Sequence, residues 1–229
     1  EGELEKIHYL KNSEDISKDI VSKLKNHETF RKLFTNFLNE IGYNKGGTFW
    51  DRFVVRVAPA ENNLPYREAS RINIHRDTWG TNLYQQINWW APVSNVEEKN
   101  TMIFYPDYFD VPVKNTTSTW DLNIYLANRK KGDFSYPSAP QLKEDLPSNI
   151  NKIPVTIKPG EILCFSGAHL HSSSKEKSEN TRISFEIRTI CENDLNSSAQ
   201  APNVDCDLQW KFPKIFKKIN DNSPLKITS

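Results

Sequence analysis

Among the five histidines of this 229-residue chain, His75 stands two positions before Asp77, His171 follows 96 positions later, and His169 precedes it by two. Arg182 lies 11 positions beyond His171. Two imidazoles and one carboxylate on a β scaffold form the facial triad that holds non-haem Fe(II) and leaves coordination positions open for substrate and oxygen. In an extended strand residues i and i+2 share a face, so His75 and Asp77 can reach one ion while Arg76 points away. The same alternation puts Ile72 and Ile74 on the Arg76 side, and Arg71 and Asn73 on the ligand side. His169 and His171 compete for the third position.

The surrounding elements must bring these residues together. Pro159-Gly160 reads as a turn, 161–165 as a buried strand and 166–171 as its exit into a loop. Beyond it Arg182, Ser184, Glu186 and Arg188 alternate with Ile183, Phe185 and Ile187. That pattern predicts a sheet with one polar, cavity-facing side and one side buried under helices. Further strands are predicted over 49–57, 71–77, 83–90, 101–105, 153–157 and 182–190, which suits a mainly β protein with a double-stranded β-helix core, the jelly-roll or cupin-like architecture. Apolar residues from Ile16 to Ile41 recur at helical spacing with a break near Asn26-His27, predicting two N-terminal helices packed on the major sheet. The chain reads as a single domain: a helical region (1–47), the core (48–190) with an insertion (107–152), and a C-terminal extension (191–229). The insertion, with a helix predicted over 119–129, is a candidate substrate-recognition excursion.

Taken together, His75-x-Asp77, Pro159-Gly160-Glu161, His171 and Arg182-x-Ser184 resemble the Fe(II)/2-oxoglutarate-dependent oxygenases, particularly the phytanoyl-CoA-hydroxylase-like branch. The stretches Ile87-Asn88-Trp89-Trp90-Ala91-Pro92-Val93 and Asn100-Thr101-Met102-Ile103-Phe104-Tyr105-Pro106 match the strands after the first ligand pair, and the resemblance covers about residues 48–190. It implies Fe(II) held by His75, Asp77 and His171, with 2-oxoglutarate as cosubstrate and O2 as oxidant. His171-Ser172-Ser173 matches the distal segment of that family, which favours His171 over His169. The resemblance also gives Arg182 the far carboxylate of 2-oxoglutarate, a role that suits the planar donor fork of a guanidinium. Ser184 can add a hydroxyl donor. Asn73, Gln86 and Asn88, with Tyr84, are further candidates for the other end of the cosubstrate or for substrate, and the sequence leaves open which face of the 83–90 strand looks inward. The implied reaction is hydroxylation or a related oxidation of a small organic substrate, with release of succinate and CO2. Related halogenases carry a small residue where Asp77 stands, so halogenation is not expected.

Composition narrows the alternatives. Thirty Lys and Arg against 29 Asp and Glu offer no general electrostatic case for nucleic acid or an anionic membrane. The three cysteines contain no Cys-x-x-Cys pair, against both a zinc ribbon and a disulfide framework, and Cys164 is expected to be a core residue. No apolar run approaches the length that spans a bilayer, and a cytoplasmic setting is the expectation. Arg56, Arg71 and Arg188 lean towards a polar or anionic substrate, Trp79 is expected at the cavity mouth, and His8 and His27 as background. Arg129-Lys130-Lys131 could receive an anionic group but reads first as a helix cap; segment 208–219 is expected to pack on the barrel or a second subunit. A cupin-like metalloenzyme that does without 2-oxoglutarate, and a non-catalytic jelly-roll module for carbohydrate, remain as alternatives.

Overall fold

The structure, a computed structural model, describes residues 19, 22–23, 27–43, 47–51, 53–58, 72–133, 135–174, 176 and 178–227. The first predicted helix lies outside the described residues except for Asp19, Ser22 and Lys23, which are helical. Helix α1 (Glu28–Glu40) begins where the His27 ring accepts a hydrogen bond from the Thr29 N–H at 3.3 Å, the capping role that frees a helix start from an unpaired donor. Its buried residues, Phe34 and Leu38, stand four apart and so share one face.

Strands β1 (Thr48–Trp50) and β2 (Val54–Ala58) follow, then a one-turn helix α2 (Thr78–Thr81) and strands β3 (Ile87–Pro92) and β4 (Met102–Phe104). After helix α3 (Leu122–Lys130) come strands β5 (Ile153–Pro154), β6 (Leu163–Ser166), β7 (His171–Ser173) and β8 (Arg182–Cys191), helix α4 (Glu192–Ser197) and strand β9 (Lys217–Lys218). The chain is therefore mainly β with few helices, and its strands form the two antiparallel sheets of a jelly-roll core. The larger sheet has the order β6-β3-β8-β1-β9, with β2 also on β8; the smaller is β5-β4-β7. At ten residues β8 is long enough to pair with β2 and then β1 along one edge and β3 along the other.

The alternation along β8 sorts the two faces. Ile183, Phe185 and Ile187 pack with Phe53, Val55, Val57 and Trp89 beneath Phe34 and Leu38 of α1, as the apolar pattern predicts. Removing a fully buried side chain such as Ile187 would cost about 2–5 kcal/mol. On the opposite face β3 presents Asn88 and Trp90, and Trp90 packs with Met102 of β4 and Val155 between the sheets. This answers which side of the 83–90 segment looks inward.

Several predicted boundaries shift. The 49–57 strand is broken into β1 and β2, and the 71–77 strand reduces to one isolated bridge at His75, with Arg71 outside the described residues. Ile72 lines the cavity beside His75 whereas Ile74 packs on the far side, so the expected alternation fails where the segment is not a regular strand. Cys164 is exposed rather than core, because β6 is the edge of its sheet. Trp79 is fully buried with Tyr105, Trp120, Leu170, Cys206 and Leu208 instead of standing at the cavity mouth. That cluster is where the 107–152 excursion meets the C-terminal segment, and Phe216 and Ile219 of the same segment are buried against the core. Among the described residues no helix is long and apolar enough to cross a membrane.

Candidate metal centre

His75 and His171, far apart in sequence, meet because their backbones exchange both hydrogen bonds: the His75 N–H to the His171 carbonyl at 2.9 Å and the reverse at 3.0 Å. A pair related in this way carries its side chains on one face of the ladder, and the two imidazole centroids lie 4.3 Å apart. Each ring places Nδ1 2.9 Å from a carbonyl oxygen two residues back, that of Asn73 for His75 and of His169 for His171. A carbonyl only accepts, so Nδ1 carries the proton and the lone pair of Nε2 is left facing the cavity in both rings.

Asp77 arrives by a different route from the one its spacing predicts. The chain turns at Asp77 into α2, with the Thr78 N–H bonded to the Gly167 carbonyl at 3.2 Å and the Gly80 N–H to the Asp77 carbonyl at 3.1 Å. The carboxylate then lies with Oδ1 3.6 Å from His75 Nε2 and Oδ2 3.7 Å from His171 Nε2. These separations are long for hydrogen bonds. They are slightly wider than the roughly 3 Å between neighbouring ligands that each stand about 2.1 Å from one ion. One donor atom from each of His75, Asp77 and His171 falls within 4.8 Å of the others, a group that can hold a metal ion.

The electrostatics favour the ligating forms. Burial, reinforced by His75 against the pull of Asp77, lowers the His171 imidazole to about 4, so it is neutral at physiological pH. Burial pushes the Asp77 carboxyl up, but the two imidazoles and Arg188 outweigh it and hold it well below the usual carboxylate range. Phe104 and Phe165 wall the His171 ring at centroid distances of 5.9 and 5.3 Å.

His169 is turned away: its ring lies 4.5 Å from that of Phe109, and Nδ1 is 3.3 Å from the Ser166 carbonyl. Arg182 is buried in the cavity beside His75 and His171, its guanidinium carbon 5.9 Å from the Trp90 ring centroid. Ser184, two residues on, is buried with its Oγ lacking a hydrogen-bond partner among the described residues. Asn88 donates through Nδ2 to Asp77 Oδ2, and Gln86 donates to Asn88 Oδ1 at 2.9 Å. The Asn73 side chain is exposed, and this residue meets the site only through its carbonyl. Tyr84 packs in the cluster around Trp79, away from the imidazoles.

Two features were not singled out from the sequence. Glu186 lines the cavity and accepts both Nε and NH2 of Arg56, at 2.8 and 2.5 Å. Asp51 accepts both Nε, at 2.9 Å, and NH2 of Arg188 on its single oxygen Oδ2. Glu186 was legible as a member of the polar face of β8; Asp51, in the break between β1 and β2, carried no signal. Arg188 also borders a cleft of about 870 Å³ lined by α1, α3 and the C-terminal segment, with Arg129, Lys214 and Lys217 on its walls.

No protein-family model matches the chain, and no curated protein sequence matches it. Among solved structures, the chain is similar to the non-heme monooxygenase ThoJ in its apo form, with 14% identity over 68% of this chain and 51% of that one and a TM-score of 0.45. It is similar to EvdO2 from Micromonospora carbonacea var. aurantiaca complexed with 2-oxoglutarate, with 9% identity, coverage of 86% and 71%, and a TM-score of 0.47. A third is the non-heme alpha ketoglutarate dependent carbocyclase SnoK from nogalamycin biosynthesis, at 12% identity, 78% and 65% coverage, and a TM-score of 0.43. The chain spans about half the length of the ThoJ structures.

Proposed function

We propose that this chain is an Fe(II)- and 2-oxoglutarate-dependent dioxygenase of the phytanoyl-CoA-hydroxylase-like kind, oxidising a small polar substrate with release of succinate and CO2. The observation that carries this reading is the convergence of Asp77 with two imidazoles whose Nδ1 atoms are tied to carbonyls and whose Nε2 lone pairs face one point. Bound there, Fe(II) with 2-oxoglutarate supplies the oxidising chemistry that protein side chains lack.

The chain's own residues do the rest. His75, Asp77 and His171 hold the ion. Arg182 presents a charged donor fork in the same cavity, suited to the far carboxylate of the cosubstrate, and Ser184 can supply a hydroxyl to it. Trp90, Phe104 and Phe165 exclude water around His171. The carboxylates that border the 870 Å³ cleft, Glu28 and Asp51, are already paired with Arg31 and Arg188. Lys214 and Lys217 on its walls therefore favour a substrate that brings an anionic group towards Arg188.

The test is anaerobic titration of the metal-free protein with Fe(II) and then 2-oxoglutarate, reading the weak metal-to-ligand charge-transfer band in the visible. A band that depends on both additions is expected. Bound metal without the band overturns the 2-oxoglutarate assignment, and absence of metal binding overturns the enzyme reading as a whole.

A further inference from the structure

Asp77 is the head of a buried chain of hydrogen bonds whose direction it dictates. An ionised carboxylate only accepts, so Asn88 must turn Nδ2 towards Asp77 Oδ2 and its carbonyl Oδ1 away. Gln86 must then donate from Nε2 to that oxygen, at 2.9 Å, which leaves Gln86 Oε1 to accept from the Thr81 hydroxyl at 3.1 Å. Thr81, Gln86 and Asn88 are 2%, 0% and 4% exposed, so water does not substitute for any of these partners.

The chain is also clamped from the side. A Cβ at residue 167 would lie 2.8 Å from Gln86 Nε2 and 3.2 Å from its Cδ, so only glycine leaves the amide where it is. Gly167 further donates its N–H to the Gln86 carbonyl at 2.9 Å and accepts from the Thr78 N–H at 3.2 Å. The segment that delivers Asp77 and the one that leads to His171 therefore meet at the same glycine, against the same glutamine.

We infer that Asn88 and Gln86 are positioning residues for the metal ligand Asp77, fixing its carboxylate plane and engaging Oδ2, rather than contacts to 2-oxoglutarate or substrate. This rests on the metal reading above. The sequence placed both residues among cosubstrate contacts because a polar pair two apart on one strand face identifies a shared environment but not what fills it.

The test is Mn(II) affinity, by electron paramagnetic resonance on metal-free protein, together with 2-oxoglutarate affinity at saturating Mn(II). Asn88→Ala is expected to weaken Mn(II) binding by about 10- to 100-fold, the usual effect of losing a partner of a metal ligand, while 2-oxoglutarate affinity stays within about twofold. Because Gln86 acts through Asn88, Gln86→Ala and Gly167→Ala should each weaken Mn(II) binding in the wild-type background and add little to Asn88→Ala. Thr81→Val, the mildest change and the farthest from the ligand, should move Mn(II) affinity in the same direction and serves if the larger changes prevent folding. Unchanged Mn(II) affinity with weakened 2-oxoglutarate binding in Asn88→Ala would overturn the inference, as would full additivity of Gln86→Ala and Asn88→Ala. If the wild type bound no Mn(II) or Fe(II), it is the metal reading that would fall.

Discussion

Arg76 Nε donates to Asp205 Oδ2 at 3.1 Å, and the two side chains are 2% and 5% exposed. The rest of the Arg76 guanidinium is consumed by the carbonyls of Tyr108, Phe109, Val111 and Ala168. Asp205 in turn accepts the Trp79 indole N–H at 2.7 Å and the Val113 N–H at 3.1 Å. One ion pair thus ties the His75–Asp77 segment to the 107–152 excursion, to the segment before His171 and to the C-terminal extension.

Cutting that pair should be costly. Removing one partner of a buried, fully hydrogen-bonded pair leaves an uncompensated charge, worth about 3–5 kcal/mol. Arg76→Met and Asp205→Ala are each expected to lower the thermal midpoint by about 10 °C for a domain of this size, read by calorimetry or circular dichroism. A shift of only a degree or two in both would mean that the excursion and the extension are held by their apolar contacts alone.

The two candidate third ligands separate cleanly by substitution. His171 joins His75 and Asp77 in the group that can hold an ion, while the His169 ring packs tilted against that of Phe109. His171→Ala should lose Fe(II) affinity by more than about 100-fold, exceeding the effect of losing a mere supporting partner. His169→Ala should leave Fe(II) affinity within a few fold. The reverse pattern, in anaerobic calorimetric titration, would move the metal centre onto His169.

How much of this was readable from residues alone depends on what kind of force set each feature. The β8 faces were legible because Ile183, Phe185 and Ile187 alternate with Arg182, Ser184, Glu186 and Arg188, and burial under α1 enforces that period. The meeting of His75 with His171 was expected, yet its cause was not: strand geometry at His75-x-Asp77 gave way to a bridge followed by a turn into α2, set by the long-range Thr78–Gly167 bond. Cys164 and Trp79 were misplaced for a related reason. Whether an apolar residue is core depends on where its strand stands in the sheet and on which distant segment covers it. Asp205, which buries Arg76 and Trp79 together, lies 129 and 126 positions away from them, beyond any local pattern.

Arg182 offers the most direct test of the cosubstrate. A charge-assisted pair with a carboxylate is worth about 1.5–3 kcal/mol per hydrogen bond, so Arg182→Ala should raise the 2-oxoglutarate dissociation constant by about 10- to 100-fold or more at saturating metal. Arg182→Lys should recover only part of the loss, because a point charge replaces a two-pronged donor. Metal affinity should not change in either variant. Equal 2-oxoglutarate binding in wild type and Arg182→Ala would leave this arginine a structural neighbour of Trp90.

Glu186 makes a prediction with a sign. Burial pushes its carboxyl up, but the charge and hydrogen bonds of Arg56 outweigh burial and hold it below the usual range. A carboxyl depressed in the folded state contributes stability that is present above the unfolded-state value, about 4.3, and is lost as pH falls through the folded-state value. Glu186→Gln removes that contribution and strands Arg56. It should therefore be less stable than wild type at pH 7 by about 1–3 kcal/mol, below the range for fully buried pairs because both side chains are about one quarter exposed. The gap between the two proteins, measured by urea denaturation, should be constant from pH 7 to about pH 5 and close as the pH drops below about 4. A gap that stays the same down to pH 3 would mean that the Arg56–Glu186 contact is not an ion pair in solution. The cavity wall beside the metal ligands would then be held by packing rather than by charge.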